Sequence, residues 1–281
     1  MDNKIQTLSQ ETIETFRRDG VVHIRNAFDP AWLSILQAGI QRDLSQPTTR
    51  LVRHTPADAN AHYWEDYWAW SEVPEFEEFL RHSPAASLAA QLYDTSRINL
   101  VMDNWFLREA GSAGRAPWHH DVSYFDFTGS MCVLWLPLQE ASADESISFI
   151  RGSHAWGKLF LRKFFKDNSS NQVAGEVNGI QYHEVPDIDG HPEDFDILRF
   201  AFAAGDCVLF DIRTLHGSLK SVIPQRDISR FSVRLAADDA RIMYRGEWAA
   251  AERAIFEAAG HREGDALDSD FFPRLWVAGQ H

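Results

Sequence analysis

A small group of metal-ligating residue types stands near the middle of the chain. His119 is followed two positions later by Asp121, and His216 comes much later, after the strand-like segment 206–211. Successive side chains of a strand alternate between its faces, so His119 and Asp121 are expected to share a face that His120 does not. Two imidazoles and one carboxylate form the facial triad that holds non-haem Fe(II) and leaves coordination positions open. The spacing therefore predicts an open iron site and oxidative chemistry.

Zinc is the competing metal for this ligand set. Zn²⁺ also accepts two imidazoles and a carboxylate at catalytic sites, where it would support hydrolysis instead of oxidation. A cupin-like binding module with a structural metal, or with none, is a further alternative, because a His-x-Asp pair often arises by chance. The ligand types do not separate these alternatives, so the groups that bind a co-substrate must decide.

An arginine and a serine on one strand supply a candidate co-substrate site. A 2-oxo acid that chelates iron needs a fixed cation for its far carboxylate, and arginine offers a two-pronged donor for that group. Arg230 and Ser232 share a face of the alternating segment 230–235, and Arg234 lies on the same face. Arg226, in the connection before this strand, is another candidate. The pattern favours Arg230 and an oxygenase that uses Fe(II), O₂ and a 2-oxo acid.

Composition limits the classes of partner. The 281 residues carry a formal net charge of −14, which argues against nucleic acid or an anionic membrane as a general partner. No segment reaches the roughly 20 apolar residues of a membrane span, and segment 1–10 is polar, unlike a signal peptide. Cys132 and Cys207 stand in apolar segments, as buried reduced thiols do. We expect a cytoplasmic monomer or homodimer with a small-molecule substrate.

Helices are predicted to precede strands along the chain. Ser9 can cap a helix that ends near Gly20, and Pro30 begins a second helix that extends to Leu44. Two shorter helices follow at 74–80 and 85–93. Strand-like segments then occur at 97–102, 105–107, 131–138, 146–150, 206–211 and 230–235. This order predicts a mainly β protein with flanking helices around a double-stranded β-helix, a cupin-like jelly roll.

One domain is expected over residues 1–281. It would comprise an N-terminal helical region at about 1–95, a jelly-roll core at about 96–240 and a C-terminal extension at 241–281. Within the core, the long polar segment 155–195 is predicted to be an insertion over the mouth of the barrel, and such loops are often lids. Its basic residues could attract an anionic substrate but are also typical of a solvent-exposed face; they are Lys158, Arg162, Lys163 and Lys166.

Aromatic residues are candidates for the substrate pocket. The chain has 10 Trp, and an aromatic wall could form from Trp64, Tyr67, Trp68, Trp70, Asn104, Trp105 and Tyr124. Asn104 and Trp105 are adjacent on a predicted strand, so one of them should face the pocket. The favoured substrate contacts are Asn104, Trp105, Tyr124 and Trp68, although such spacing is also typical of a core. The substrate is expected to be hydrophobic or ring-bearing.

Several motifs in order resemble the phytanoyl-CoA dioxygenase family of Fe(II)- and 2-oxoglutarate-dependent oxygenases. They extend over roughly residues 9–240 and comprise Gly20-Val21-Val22, Trp118-His119-His120-Asp121, Leu134-Trp135-Leu136-Pro137-Leu138, Arg151-Gly152-Ser153-His154, Ala204-Gly205-Asp206 and His216-Gly217-Ser218. The resemblance implies the double-stranded β-helix, iron at the predicted triad and decarboxylation of 2-oxoglutarate. It favours hydroxylation, while desaturation, epimerisation and ring closure would use the same residues.

The resemblance also implies roles for residues around 2-oxoglutarate. His120 takes the position of a residue that lines the co-substrate, Trp135 resembles the tryptophan beside it, and Ser218 resembles a hydroxyl donor. The chain departs from the family at Glu145-Ser146-Ile147, where an Asn-Gly turn is usual, and at Arg151, where proline is common. The family's 2-oxoglutarate arginine lies closer to the distal histidine, where this chain has Ile228 or its neighbours.

Overall fold

The fold combines a large β-sheet with helices on one face and smaller sheets on the other. The computed structural model of the chain describes residues 6–165, 168–170, 172–219, 222–245 and 250–280. Its helices are α1 (Gln10–Asp19), α2 (Pro30–Ser45), α3 (Pro74–His82), α4 (Ala85–Tyr93) and α5 (Ala250–Ala258). The N-terminal helices lie close to their predicted bounds.

The strands are short, apart from β4 and β14. They are β1 (Val21–Ile24), β2 (Val52–Arg53), β3 (Tyr63–Tyr67), β4 (Arg97–Arg108), β5 (Phe127–Thr128), β6 (Met131–Pro137), β7 (Ser148–Ile150), β8 (Leu159–Phe160), β9 (Gly175–Val177), β10 (Ile180–His183), β11 (Ile197–Arg199), β12 (Cys207–Asp211), β13 (His216–Gly217), β14 (Ile228–Ala237), β15 (Arg241–Ile242) and β16 (Arg274–Val277). The two segments predicted at 97–102 and 105–107 form the single strand β4.

One sheet carries most of the architecture. Its strand order is β1-β12-β6-β14-β4-β3-β2, with β16 also paired to β4. A three-stranded sheet, β11-β7-β13, supplies the second layer, and an aromatic core between the layers includes Phe149 and Phe210. The strand pairs of these two sheets are antiparallel. This arrangement confirms the predicted mainly β jelly-roll fold with flanking helices.

Local signals explain where the first helix begins and ends. The Ser9 side chain accepts a hydrogen bond from the Thr12 backbone N–H at 3.1 Å, which caps the N-terminus of α1. Gly20 ends the helix with φ of +77°, a backbone conformation that glycine adopts at little cost. The turn at Gly20 leads directly into β1, which begins at Val21.

Alternation along β14 separates the core from the site. Phe231 and Val233 belong to the apolar core that the large sheet forms with the N-terminal helices. Arg230, Ser232 and Arg234 line a cavity on the opposite face. Because side chains alternate along β14, one face of the strand packs against the helices and the other presents polar groups to the cavity.

The insertion and the C-terminal extension both have structure of their own. Within 155–195, strands β8, β10 and β9 form a separate three-stranded sheet. The C-terminal extension returns to the large sheet, because β16 pairs with β4. Its Phe256 and Phe272 pack against Phe127 in an aromatic cluster. Of the helices in the described ranges, none combines the length and apolar character needed to span a bilayer.

Candidate metal centre

A short antiparallel bridge brings the two predicted histidine ligands together. The His119 N–H donates to the His216 carbonyl at 2.9 Å, and the His216 N–H donates to the His119 carbonyl at 2.8 Å. The two ring centroids are 4.2 Å apart. Asp121 begins a single turn of 3₁₀ helix immediately after this bridge. The local structure at Asp121 is therefore a turn and not the predicted strand, but its side chain still joins the histidines.

His119, Asp121 and His216, the metal triad, are buried and converge. One potential ligand atom from each residue lies within 4.8 Å of the other two. Asp121 Oδ1 is 3.3 Å from His119 Nε2 and 3.5 Å from His216 Nε2. These distances allow all three atoms to contact one divalent ion on one side, and the remaining coordination positions would face the cavities described below.

Backbone carbonyls fix the orientation of both imidazoles. His119 Nδ1 is 2.7 Å from the Pro117 carbonyl oxygen, and His216 Nδ1 is 2.9 Å from the Thr214 carbonyl oxygen. A carbonyl only accepts hydrogen bonds, so each Nδ1 carries the proton and each Nε2 keeps its lone pair for the metal. Burial, with a smaller contribution from His119, lowers the pKa of His216 to about 3. His216 is therefore neutral and able to bind metal at neutral pH.

Arg234 controls the second oxygen of Asp121. Its Nε and Nη2 atoms lie 2.9 and 2.8 Å from Asp121 Oδ2. Burial alone would raise the pKa of Asp121, but the adjacent guanidinium of Arg234 holds it far below its ordinary value. Because Oδ2 is bound by the guanidinium, Asp121 offers Oδ1 to a metal as a single-oxygen ligand.

Gly217 permits the close approach on which the histidine bridge depends. A Cβ atom at this position would lie 2.9 Å from the Trp118 Cα atom and 3.0 Å from the Pro117 carbonyl oxygen. Both contacts are with backbone, which cannot rotate away. A larger residue would therefore push β13 away from the segment that carries His119.

A narrow inner cavity extends from the triad histidines toward Arg230. The cavity has a volume of about 50 Å³. Its walls include His119, His216, Trp135, Ser218, Arg230 and Ser232. Arg230 is 8% exposed and its guanidinium lies 5.4 Å from the Trp135 ring. It also donates to the Glu145 carbonyl oxygen. Burial lowers the pKa of Arg230 to about 10.

The inner cavity has an excess of buried positive charge. Arg108, which is 6% exposed, also lines it and donates to the carbonyl oxygens of Ser112 and Val222 at 3.1 and 2.6 Å. Neither Arg108 nor Arg230 forms an ion pair with any carboxylate of the described residues. A buried cation without a counter-ion is costly, so this cavity favours an anionic ligand.

The other two arginine candidates are engaged elsewhere. Arg226 is largely exposed, with its Nη1 atom 2.9 Å from Glu145 Oε1, outside the inner cavity. Arg234 borders the inner cavity but is held by Asp121, and it donates to Ser232 Oγ at 3.1 Å. Ser218 Oγ accepts the Ala116 N–H at 3.2 Å. The position and charge of Arg230 thus favour it, among the three arginines, as the group that could bind the far carboxylate of a metal-chelating 2-oxo acid.

His120 lies away from both cavities, which corrects the expectation that it lines the co-substrate. The ring is fully buried, 5.1 Å from the Phe160 ring, and Nε2 accepts the Phe160 backbone N–H at 3.0 Å. Burial lowers the pKa of His120 to about 3. The alternation that directs His119 toward the metal directs His120 toward the insertion, where it supports the start of that segment.

A larger outer cavity opens on the other side of Asp121. This cavity has a volume of about 240 Å³. Its walls include Asp121, Tyr67, Trp68, Asn104, Tyr124 and Phe165. The predicted substrate residues Asn104, Tyr124 and Trp68 all lie there. Trp105 does not, because alternation along β4 places it in the core, fully buried, with its Nε1–H donating to Asp43 Oδ2 at 2.7 Å. The expectation for Trp105 was therefore wrong.

Trp68 has an unusual backbone conformation at the edge of the outer cavity. Its φ is +53°, in the left-handed region, which costs a bulky residue about 1–3 kcal/mol. Two hydrogen bonds of 3.0 Å hold it there, from its N–H to the Asp103 carbonyl and from its Nε1–H to the Val101 carbonyl. Strain of this kind is often found at binding sites. Of the other candidate aromatics, Trp64 and Trp70 pack against the helical core.

The insertion forms part of the outer cavity wall. Arg162, Lys163 and Phe165 line it, and the Phe165 ring lies 5.0 Å from that of His119. Lys158, also in the predicted basic cluster, lies outside this lining, and Lys166 falls outside the described residues. Part of the insertion therefore lines the outer cavity.

Several lining residues were missed in the sequence. Tyr63 and Arg108 reach the inner cavity, whereas His54 and Glu65 reach the outer one. Tyr63 and Glu65 lie on β3, Arg108 ends β4, and His54 directly follows β2. Phe165 belongs to the insertion. No local pattern marks these positions, because pairing between distant strands brings them to the site.

Known structures share this fold. The non-heme alpha ketoglutarate dependent epimerase SnoN from nogalamycin biosynthesis aligns with a TM-score of 0.73 at 20% sequence identity and covers 97% of each chain. The carbocyclase SnoK from the same biosynthesis gives 0.71 at 16% identity, covering 95% of this chain and 96% of SnoK. EvdO2 from Micromonospora carbonacea var. aurantiaca, complexed with 2-oxoglutarate, gives 0.61 at 15% identity, covering 84% of this chain and 93% of EvdO2.

The sequence comparison supports a specific family. A search of the curated proteins found no match. The phytanoyl-CoA dioxygenase family model, in contrast, matches residues 16–222, which is well over half of the chain. The matched span contains all three residues of the metal triad. The chain therefore belongs to the phytanoyl-CoA dioxygenase family.

Proposed function

We propose that the chain is an Fe(II)- and 2-oxoglutarate-dependent oxygenase that hydroxylates a small, ring-bearing molecule, releasing succinate and CO₂ from 2-oxoglutarate. The observation that carries this proposal is the pairing of two features on one cavity. One is a buried metal triad with open positions, and the other is buried Arg230, which has no carboxylate partner among the described residues. A metal chelator with a second, distant carboxylate satisfies both features, and 2-oxoglutarate is such a molecule.

The triad residues suit a ferrous ion. Iron bound there would supply O₂ activation and C–H oxidation, with 2-oxoglutarate as the electron source. His119 and His216 present neutral Nε2 atoms because backbone carbonyls accept their Nδ1–H groups. Asp121 contributes one oxygen because Arg234 binds the other. The three ligand atoms would thus lie on one side of the metal, with Asp121 held in place by Arg234.

The remaining inner-cavity residues would position 2-oxoglutarate. Arg230 would bind its far carboxylate, with Trp135 packed against the guanidinium. Ser218 and Ser232 would offer hydroxyl groups along the walls. Substrate would enter the outer cavity, where Asn104, Tyr124 and Trp68 line the approach to the triad.

The type of oxidation depends on the substrate's position. Two similar folds belong to an epimerase and a carbocyclase, so epimerisation and ring closure remain alternatives to hydroxylation at the same residues. Each of these reactions begins at a C–H bond near the triad. Hydroxylation is favoured because it requires no additional group from the protein. A zinc hydrolase or a binding protein would not require 2-oxoglutarate at Arg230.

The test is an anaerobic titration of the protein with Fe(II) and 2-oxoglutarate. The chelate should give a weak visible absorption band near about 500 nm, as expected of an iron–keto acid complex. Asp121→Ala should lose the band, whereas Asp196→Asn, at an exposed carboxylate paired with Arg151, should keep it. Tight Zn²⁺ binding with no band under any condition would contradict the proposal, as would a band that Asp121→Ala leaves intact.

A further inference from the structure

A carboxylate–histidine pair faces the outer cavity and has no part in the function proposed above. Glu65 Oε2 lies 2.6 Å from His54 Nε2, and Glu65 Oε1 accepts a hydrogen bond from Asn104 Nδ2 at 2.8 Å. All three residues line the outer cavity. The Glu65 side chain is 21% exposed and that of His54 is 15% exposed. The pair is therefore sheltered by the protein but open toward the cavity.

Strand pairing sets the position of this pair. Glu65 lies on β3 opposite Phe106 of β4, and Asn104 of β4 lies opposite Tyr67. His54 follows β2 and its N–H donates to the Tyr63 carbonyl at 2.8 Å. The pair is thus built on the edge of the large sheet and not on a free loop. Groups on such a framework have little freedom to move.

Two chains of contact connect the pair to the metal triad. Asn104 Oδ1 accepts a hydrogen bond from Arg234 at 3.3 Å, and Arg234 binds Asp121. On the cavity side, the Phe165 ring lies 6.4 Å from the His54 ring and 5.0 Å from the His119 ring. Only one aromatic side chain therefore separates the pair from a triad histidine. A small substrate could contact both.

Many residues that line the outer cavity are aromatic, and Arg162, Lys163 and Arg234 also line it. Tyr67, Trp68, Tyr124 and Phe165 form much of the cavity wall. A carboxylate in such surroundings is costly unless donors surround it. Among the described residues, each oxygen of Glu65 has one hydrogen-bonding partner and can accept a second hydrogen bond, since a carboxylate oxygen has two acceptor positions. A substrate donor group would complete this set.

We propose that Glu65, held in place by His54, binds a hydroxyl group carried by the ring of the substrate, so that the natural substrate is an aromatic or polycyclic alcohol or phenol. This inference rests on the proposed function, since it places the substrate in the outer cavity. The substrate hydroxyl donates a hydrogen bond to the Glu65 carboxylate. The contact with His54 Nε2 holds this carboxylate in position. The pair is a specificity determinant because an isostere without the hydroxyl leaves the carboxylate unsatisfied.

The test compares 2-naphthol with 2-methylnaphthalene, which has a methyl group in place of the hydroxyl. Binding of each is measured by equilibrium dialysis against the full chain loaded anaerobically with Fe(II) and 2-oxoglutarate. A hydrogen bond to a charged acceptor predicts that 2-naphthol binds at least about tenfold more tightly. Glu65→Gln should reduce this preference severalfold and Glu65→Leu should abolish it. Glu77→Gln, at a carboxylate paired with Arg81 on α3, should preserve it.

The preference ratio separates recognition from a structural role. A variant that only loosens the sheet would weaken both probes alike and leave their ratio unchanged. Glu65→Gln keeps the shape of the side chain and carries the test if Glu65→Leu does not fold. Equal binding of the two probes by the wild type, binding of neither, or an unchanged preference in Glu65→Gln would overturn the inference. Loss of the visible band would instead count against the proposed function.

Discussion

Replacing Arg230 with methionine removes the cation of the inner cavity while keeping a side chain of similar length. The pKa of Arg230 falls from 12.5 to about 10 because burial disfavours its charged form. At about 1.4 kcal/mol per pKa unit, the charged side chain is destabilised by about 3 kcal/mol in the folded protein. The hydrogen bond from Arg230 to the backbone carbonyl oxygen of Glu145 and the contact of its guanidinium with the Trp135 ring together stabilise the charged side chain by about 2–4 kcal/mol. The two effects nearly cancel.

We therefore expect Arg230→Met to leave the free energy of unfolding within about 1 kcal/mol of the wild type. The affinity for 2-oxoglutarate should respond very differently. Loss of one partner of a buried charge pair costs about 2–5 kcal/mol, so the dissociation constant should rise at least about 30-fold. Anaerobic titration of the Fe(II)-loaded protein with 2-oxoglutarate, followed by its visible absorbance, measures this change.

Arg226→Met is the matched control, because Arg226 is an exposed arginine paired with Glu145 outside the cavity. Its 2-oxoglutarate affinity should stay within about threefold of the wild type, as expected for a surface ion pair. Wild-type affinity in Arg230→Met would refute the assignment of the co-substrate carboxylate to Arg230. An equal loss in both variants would point to a general disturbance of the fold.

Three further substitutions address the triad and the core. Arg234→Met should lower Mn(II) affinity, measured by calorimetry, by about 10- to 100-fold because Asp121 loses the partner that orients it; unchanged affinity would contradict that role. Gly217→Ala should also weaken Mn(II) binding by at least about tenfold, since the added Cβ would clash with the backbone of Pro117 and Trp118. Wild-type Mn(II) affinity in this variant would show that the bridge between His119 and His216 tolerates the extra methyl group. Trp105→Phe should reduce the free energy of unfolding in urea by about 1–3 kcal/mol by leaving Asp43 Oδ2 without its donor. It should leave 2-oxoglutarate affinity unchanged, and a changed affinity would return Trp105 to the site.

The metal triad and the fold class could be predicted from the sequence because they depend on short-range regularities. His119 and Asp121, two residues apart, point to the same site in the structure, although Asp121 lies in a turn. Arg230 and Ser232, also two residues apart, line the same cavity. The periodicity of the strands was sufficient for the jelly roll. His216 is distant in the sequence, and its place after the strand-like segment 206–211 marked it as the third ligand.

Other features depend on packing between distant segments and could not be predicted. Alternation showed that Asn104 and Trp105 face opposite ways but not which one faces the cavity. The burial of His120 against Phe160 depends on where the insertion folds back. The pairing of His54 with Glu65 requires the turn between β2 and β3 and the register of both strands. None of these relationships has a local signal in the sequence.

The most direct test of the proposed iron and 2-oxoglutarate site is an anomalous difference map at the iron edge, from crystals grown without oxygen in the presence of Fe(II) and 2-oxoglutarate. We expect one iron peak contacted by His119 Nε2, His216 Nε2 and Asp121 Oδ1, with 2-oxoglutarate extending from it to Arg230. An ion enclosed by four protein ligands, or a co-substrate whose far carboxylate lies away from Arg230, would contradict it.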